Sequence, residues 1–294
     1  MSFLSALFRS SNPGFGGGYD TDVSKLPPLG HDGPKALMAI MAHPDDIDFG
    51  SAGSIAKWCA EGWTVYYVLA TSGDKGTHDP AFTPQELAAT REEEQRQAAR
   101  VLGVKEVFFL GYPDGFLEPT HELREQLVRL FRTHHPDVVL TWDGFRASFN
   151  HNDHRNIGIA VRDALYPAVR DHLYYAEHAG EGLGAVRVNE LLLVGSEQPN
   201  LFVDVSAFLE KKVDAMLSHA SQVQTHDRDE MLKNMRARGS RPGGRGMVES
   251  FRRVRIGRSP RQERERVERE AAEAAAKAAA EAESAPVGAG TSSS

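Results

Sequence analysis

Residues 36–50 read ALMAIMAHPDDIDFG. Seven apolar residues, Ala36 to Ala42, run without a break and stop against His43, Pro44 and the carboxylates of Asp45, Asp46 and Asp48. So short a run, ended by a proline turn, reads as a strand buried on both faces. Such a strand belongs to a parallel sheet with helices above and below, and its carboxyl end opens where these sheets bind ligands. The loop there raises a second question. Like charges this close repel one another, so the cluster is costly unless a positive group sits among it.

Outward from this stretch the chain alternates. SAGSIAKWCAEG (51–62) predicts a helix stopped by glycine, with Asp48 as its N-cap, and WTVYYVLAT (63–71) a strand rich in β-branched and aromatic residues. TPQELAATREEEQRQAARVLG (83–103) predicts a helix opened by Thr83, Pro84 and Glu86 in the pattern of a capping box. Strands at 106–110, 137–142 and 189–195 and helices at 120–134, 153–169 and 206–220 complete the alternation, and 247–257 reads as a closing strand or packed segment. Regular alternation of this kind specifies the α/β class, a Rossmann-like, mainly parallel sheet with helices on both faces.

Three regions follow: an irregular Gly/Pro/Ser-rich leader (1–34), one folded domain (35–257) and a charged Ala/Glu-rich tail (258–294). Hydrophobic content of 40%, charged content of 26% and a net charge of −7 describe an ordinary soluble chain and argue against a dedicated nucleic-acid or anionic-membrane binder. Nine arginines against one acid between Arg236 and Arg261 read as a solvated basic loop. With Cys59 as the single cysteine, an intrachain disulfide and a cysteine-based zinc finger are excluded. No apolar run reaches the ~18 residues of a membrane span, and MSFLSALFRS is too short and too soon polar for a secretory segment, so the expected compartment is the cytoplasm.

In a sheet ordered 3-2-1-4-5, the loops after the first and fourth strands share the crevice where strand order reverses. The first carries HPDDID; the second, DGFRASFNHNDH (143–154), carries His151, Asp153 and His154. His43 and Asp46, spaced i, i+3 across Pro44, can aim at one point, and His154 can supply a third ligand. Two imidazoles and a carboxylate suit one Zn²⁺ per chain with a position left for water, and Fe²⁺ suits the same donors. Asp45 would then stand beside that water as general base. His151 would serve as acid or oxyanion stabiliser, with Asp153 orienting its ring.

At these residues the chain resembles the LmbE-like (PIG-L) family of zinc-dependent N-deacetylases. AHPDD (42–46) and HNDH (151–154) match its two signature motifs, and TSGDKG (71–76), REEEQRQAARVLG (91–103), LGYPDG (110–115), HASQ (219–222) and ESFR (249–252) extend the likeness. The resemblance implies removal of an N-acyl group, commonly acetyl, from a small amino-sugar substrate. An amidase acting on a sugar-linked amide such as a mycothiol conjugate is the alternative within the family. It implies the ligand set His43, Asp46 and His154, the base Asp45, and sugar contacts by Arg91 and Asp114, against a plain Arg91–Glu94 surface pair and a turn-forming Asp114. Phe149 stands where some members carry a tyrosine that polarises the scissile carbonyl. A Rossmann-type nucleotide-binding module is the reading from another class, supported by the Gly50-x-x-Gly53 spacing; the carboxylates of the same loop would repel a pyrophosphate.

Overall fold

The structure, a computed structural model, describes residues 28–256 apart from 31, 34, 149, 224–226 and 239–245. Most of the leader, Phe149 and the 258–294 tail lie outside the described residues. The chain runs β1 (Ala36–Met41), α1 (Asp46–Ala60), β2 (Thr64–Thr71), α2 (Pro84–Leu102), β3 (Glu106–Tyr112), α3 (His121–His134), β4 (Val138–Trp142), α4 (Asn152–Leu165) and β5 (Glu190–Val194). It then forms β6 (Leu201–Asp204), α5 (Leu209–Leu217), α6 (Arg228–Arg238) and β7 (Val248–Arg255).

The strands form one sheet in the order β3-β2-β1-β4-β5-β7-β6. The first five are parallel, and β7 runs antiparallel to both β5 and β6. Period-two alternation explains the layers. Met38 and Ile40 of β1, and Ala42 just beyond it, pack toward Leu127 and Phe131 of α3 and Ile157 and Val161 of α4. Leu37, Ala39 and Met41 face the opposite way, toward Ile55 of α1, Leu102 of α2 and Ala215 of α5. A strand covered on both sides has no polar face, which is why 36–42 reads as an unbroken apolar run. No helix among the described residues is long and apolar enough to cross a membrane.

Four expectations are corrected. α1 begins at Asp46, five residues before the expected start at 51, so Asp48 lies inside its first turn and caps nothing. α4 ends at Leu165, because Pro167 lacks the N–H that would continue it. β6 and α6 carry no strong apolar periodicity and were not anticipated. Finally, part of the Arg-rich segment is strand. Arg253 on β7 is 4% exposed, and its Nε and Nη2 donate to the two carboxylate oxygens of Glu190 at 3.0 and 2.8 Å.

Candidate metal centre

β1 and β4 are neighbours (Leu37 beside Val138, Ala39 beside Leu140), while β2 lies on the other side of β1. Strand order therefore reverses between β1 and β4, and the loops leaving their carboxyl ends meet there. One is only Ala42–Asp45, closed by the start of α1; the other ends at His151, the N-cap of α4.

Three of the expected residues converge. His43 Nδ1 lies 3.5 Å from Asp46 Oδ2 and 3.3 Å from His154 Nε2, and His154 Nε2 lies 3.1 Å from Asp46 Oδ1. Asp46 is anchored by the His43 backbone N–H at 2.9 Å and the Trp142 indole N–H at 3.1 Å, both donating to Oδ2. The His154 ring stacks on Trp142 with centroids 4.3 Å apart and planes 10° from parallel. Trp142 was missed by the sequence reading. Its only signal is an indole at the last position of a strand that ends in the crevice.

The other edge of the His43 ring faces two more carboxylates. Nε2 lies 3.1 Å from Asp153 Oδ2 and 3.1 Å from Asp114 Oδ1. Together these acceptors hold a proton on Nε2, so that a cation at the Nδ1 edge, beside Asp46 and His154, would take the place of the other ring proton. Asp153 thus orients His43, not His151 as expected. It also accepts from the backbone N–H groups of Gly115 (2.7 Å) and Leu117 (3.1 Å) and from the Asn152 side-chain amide (3.1 Å). His151 Nδ1 accepts from the Asp153 N–H at 3.2 Å, which leaves its Nε2 as the donor, and its ring centroid is 4.9 Å from that of His43.

Charge in this pocket is one-sided. Burial alone would lower the His43 imidazole, yet the carboxylates of Asp114, Asp153 and Asp46 push it up to about 11. Burial would raise the Asp46 carboxyl, but hydrogen bonds from His154 and His43 hold it far below the usual carboxylate range. Burial lowers the His151 ring, helped by the neighbouring charge of His43 and His154. The site stabilises positive charge, which answers the repulsion posed by the sequence. Two sets of donors could take a cation, with atoms all within 4.8 Å of one another: His43, His151 and His154, and His43, Asp114 and Asp153. Asp46 and His154, gathered at the Nδ1 edge of the His43 ring, form a further such cluster.

Asp45 sits at the N-cap of α1, yet its side chain makes no capping bond. Its φ of 94° is one that L-residues rarely adopt, a strain of order 1–3 kcal/mol. The carboxylate turns instead to Arg91 Nη2 at 3.1 Å. Burial and the nearby Asp46 charge push the Asp45 carboxyl up to about 7. Arg91 is not a surface partner of Glu94. It is 4% exposed and donates to the carbonyls of Pro44 (2.6 Å) and Gly73 (2.9 Å) as well. Gly73 and Gly76 make room for it, since a Cβ at either would lie 2.2 or 2.3 Å from its Nη1. Asp114 is 6% exposed.

The model of the family described as PIG-L, GlcNAc-PI de-N-acetylase, matches residues 38–165. The diacetylchitobiose deacetylase of Thermococcus kodakarensis is 34% identical over 188 residues, covering 64% of this chain and 70% of that one. The solved structure of N,N'-diacetylchitobiose deacetylase from Pyrococcus horikoshii, complexed with its inhibitor MPG, superposes with a TM-score of 0.70 at 29% identity, covering 79% of this chain and 88% of that one. GalB, a 4-carboxy-2-hydroxymuconate hydratase from Pseudomonas putida KT2440, shares the fold with a TM-score of 0.62 at 20% identity, over 76% of this chain and 97% of that one. The fold alone does not specify a reaction.

Proposed function

The chain belongs to the PIG-L family of GlcNAc-PI de-N-acetylases, and from that premise we propose that it is a zinc-dependent hydrolase removing the acetyl group from an N-acetylglucosamine-type substrate. One observation carries the metal assignment. His43 Nδ1 and His154 Nε2 lie 3.3 Å apart, about the edge of a tetrahedron with bonds of about 2.0–2.1 Å, and the Asp46 carboxylate spans them, with Oδ2 3.5 Å from His43 Nδ1 and Oδ1 3.1 Å from His154 Nε2. His43, Asp46 and His154 would hold the ion, and Asp153, bonded to the far nitrogen of His43, would keep that ring in place.

A zinc ion held there would supply a water of pKa about 7 and a Lewis acid for the amide carbonyl. Asp45 takes the proton of the attacking water. His151 would present Nε2–H to the developing oxyanion, and the proton taken up by Asp45 would pass to the leaving nitrogen. Because Arg91 and Asp114 are buried and bonded within the protein, sugar recognition through them would be confined to the little edge they leave free. The exposed rim beside them offers Phe116, 69% exposed, and Lys75, whose ammonium lies 5.5 Å from the Phe116 ring centroid.

The test is acetate release from N-acetylated amino sugars, N-acetylglucosamine and diacetylchitobiose among them, with metal analysis. Release that stops on chelation and returns with Zn²⁺ is expected. Turnover unchanged by complete metal removal would reject the metal-dependent reading.

A further inference from the structure

The strained backbone of Asp45 needs something to hold it, because such a conformation persists only where its surroundings over-determine it. α2 does the holding with two side chains one turn apart on the same face. Arg91 bonds the Asp45 carboxylate and the Pro44 carbonyl. Gln95, fully buried, accepts the Asp45 backbone N–H on Oε1 at 2.9 Å. The Gln95 amide cannot be turned over. Its Nε2 donates to Asp48 Oδ2 at 2.7 Å, so a flip would set an NH₂ against an N–H and an oxygen against a carboxylate. Asp48, also fully buried, is held in turn by His219 Nε2 at 2.9 Å and the Tyr67 hydroxyl at 3.3 Å. A continuous chain thus runs His219–Asp48–Gln95–Asp45 through α1 and its N-cap, α2 and the loop beyond α5.

We propose that Gln95 is a positioning residue for the reaction: it fixes the backbone turn that aims the Asp45 carboxylate, with Asp48 and His219 fixing Gln95 in turn. Gln95 has no exposed surface, so it reaches no substrate and acts only through Asp45. None of its bonds goes to His43, His154 or the Asp46 side chain. The proposal rests on the deacetylase reading above, because it takes Asp45 as the base.

The experiment compares wild type with Gln95→Met, which keeps the volume and removes both hydrogen bonds. Acetate-release kinetics, zinc content and amide hydrogen exchange at Asp45 are measured on each. The expected result is a kcat lowered about 10- to 100-fold, with KM within twofold, zinc content unchanged and faster exchange of the Asp45 amide. A merely structural glutamine would alter zinc content and KM together with kcat, and that pattern overturns the proposal. So does a kcat within twofold of wild type. Should Gln95→Met not fold, Gln95→Asn is read the same way: one methylene shorter, it cannot bond the Asp45 N–H and Asp48 together, and the same loss of kcat is expected. A wild type that releases no acetate rejects the deacetylase reading instead. The Asp45 exchange rates then still report whether Gln95 holds that turn.

Discussion

At Asp45, burial and a non-capping orientation combine to make a carboxylate available for proton transfer. Asp45→Asn keeps the size and the Arg91 contact but cannot take a proton. Acetate-release kinetics should show kcat lowered about 10²- to 10⁴-fold, with full zinc occupancy by metal analysis; a rate within a factor of two of wild type would deny Asp45 the role of base. Residue types were readable from the two motifs, but pairings were not. His151 and Asp153 are two positions apart, which suggested that one holds the other. They straddle the first turn of α4, however, and the Asp153 carboxylate reaches His43, 110 residues away in sequence. For Arg91, expected to contact the sugar with a surface pair to Glu94 as the plain alternative, the inward turn onto Asp45 was hidden for a similar reason: α2 is charged almost all round, and nothing local marks which arginine turns inward.

Among the elements, α1 is the most constrained. Its Gly53 lies so close to Val205 that a Cβ there would be 2.7 Å from Val205 Cβ. Beside it, Glu249 of β7 accepts the N–H groups of Gly53 (3.0 Å) and Ser54 (2.7 Å), while Lys212 of α5 donates to Glu249 at 2.6 Å and to the Phe49 carbonyl at 2.9 Å. Both ends of this ion pair are buried, at 3% and 4% side-chain exposure. Lys212→Met should therefore cost about 3–5 kcal/mol in urea unfolding, since it strands a buried carboxylate; a loss under about 1 kcal/mol would show that the pair does not hold α1, α5 and β7 together. The Thr83–Glu86 capping box, by contrast, is a local device and forms as its spacing predicts. The Glu249 contact could not be anticipated, because it joins positions almost 200 residues apart.

Across the whole molecule the proposed ion would join the loop after β1 to the start of α4, and a ligand bound only by the folded chain stabilises it by mass action. Zn²⁺ at about 100 times its dissociation constant should add about 2.7 kcal/mol. The unfolding midpoint should rise on zinc addition and fall on chelation, and a midpoint indifferent to both would contradict the site. The order of strands and helices, the parallel class and the two loops facing one crevice were legible in the sequence. Each follows from a short-range pattern: apolar runs buried on both faces, helical caps and glycine stops. Only the tertiary structure decided which carboxylate faces which imidazole, how β6 and β7 close the sheet, and that Arg91 and Gln95 grip Asp45. Those outcomes depend on the direction a side chain takes once distant elements have packed, and on one backbone angle, the φ of Asp45, that no local pattern of residues encodes.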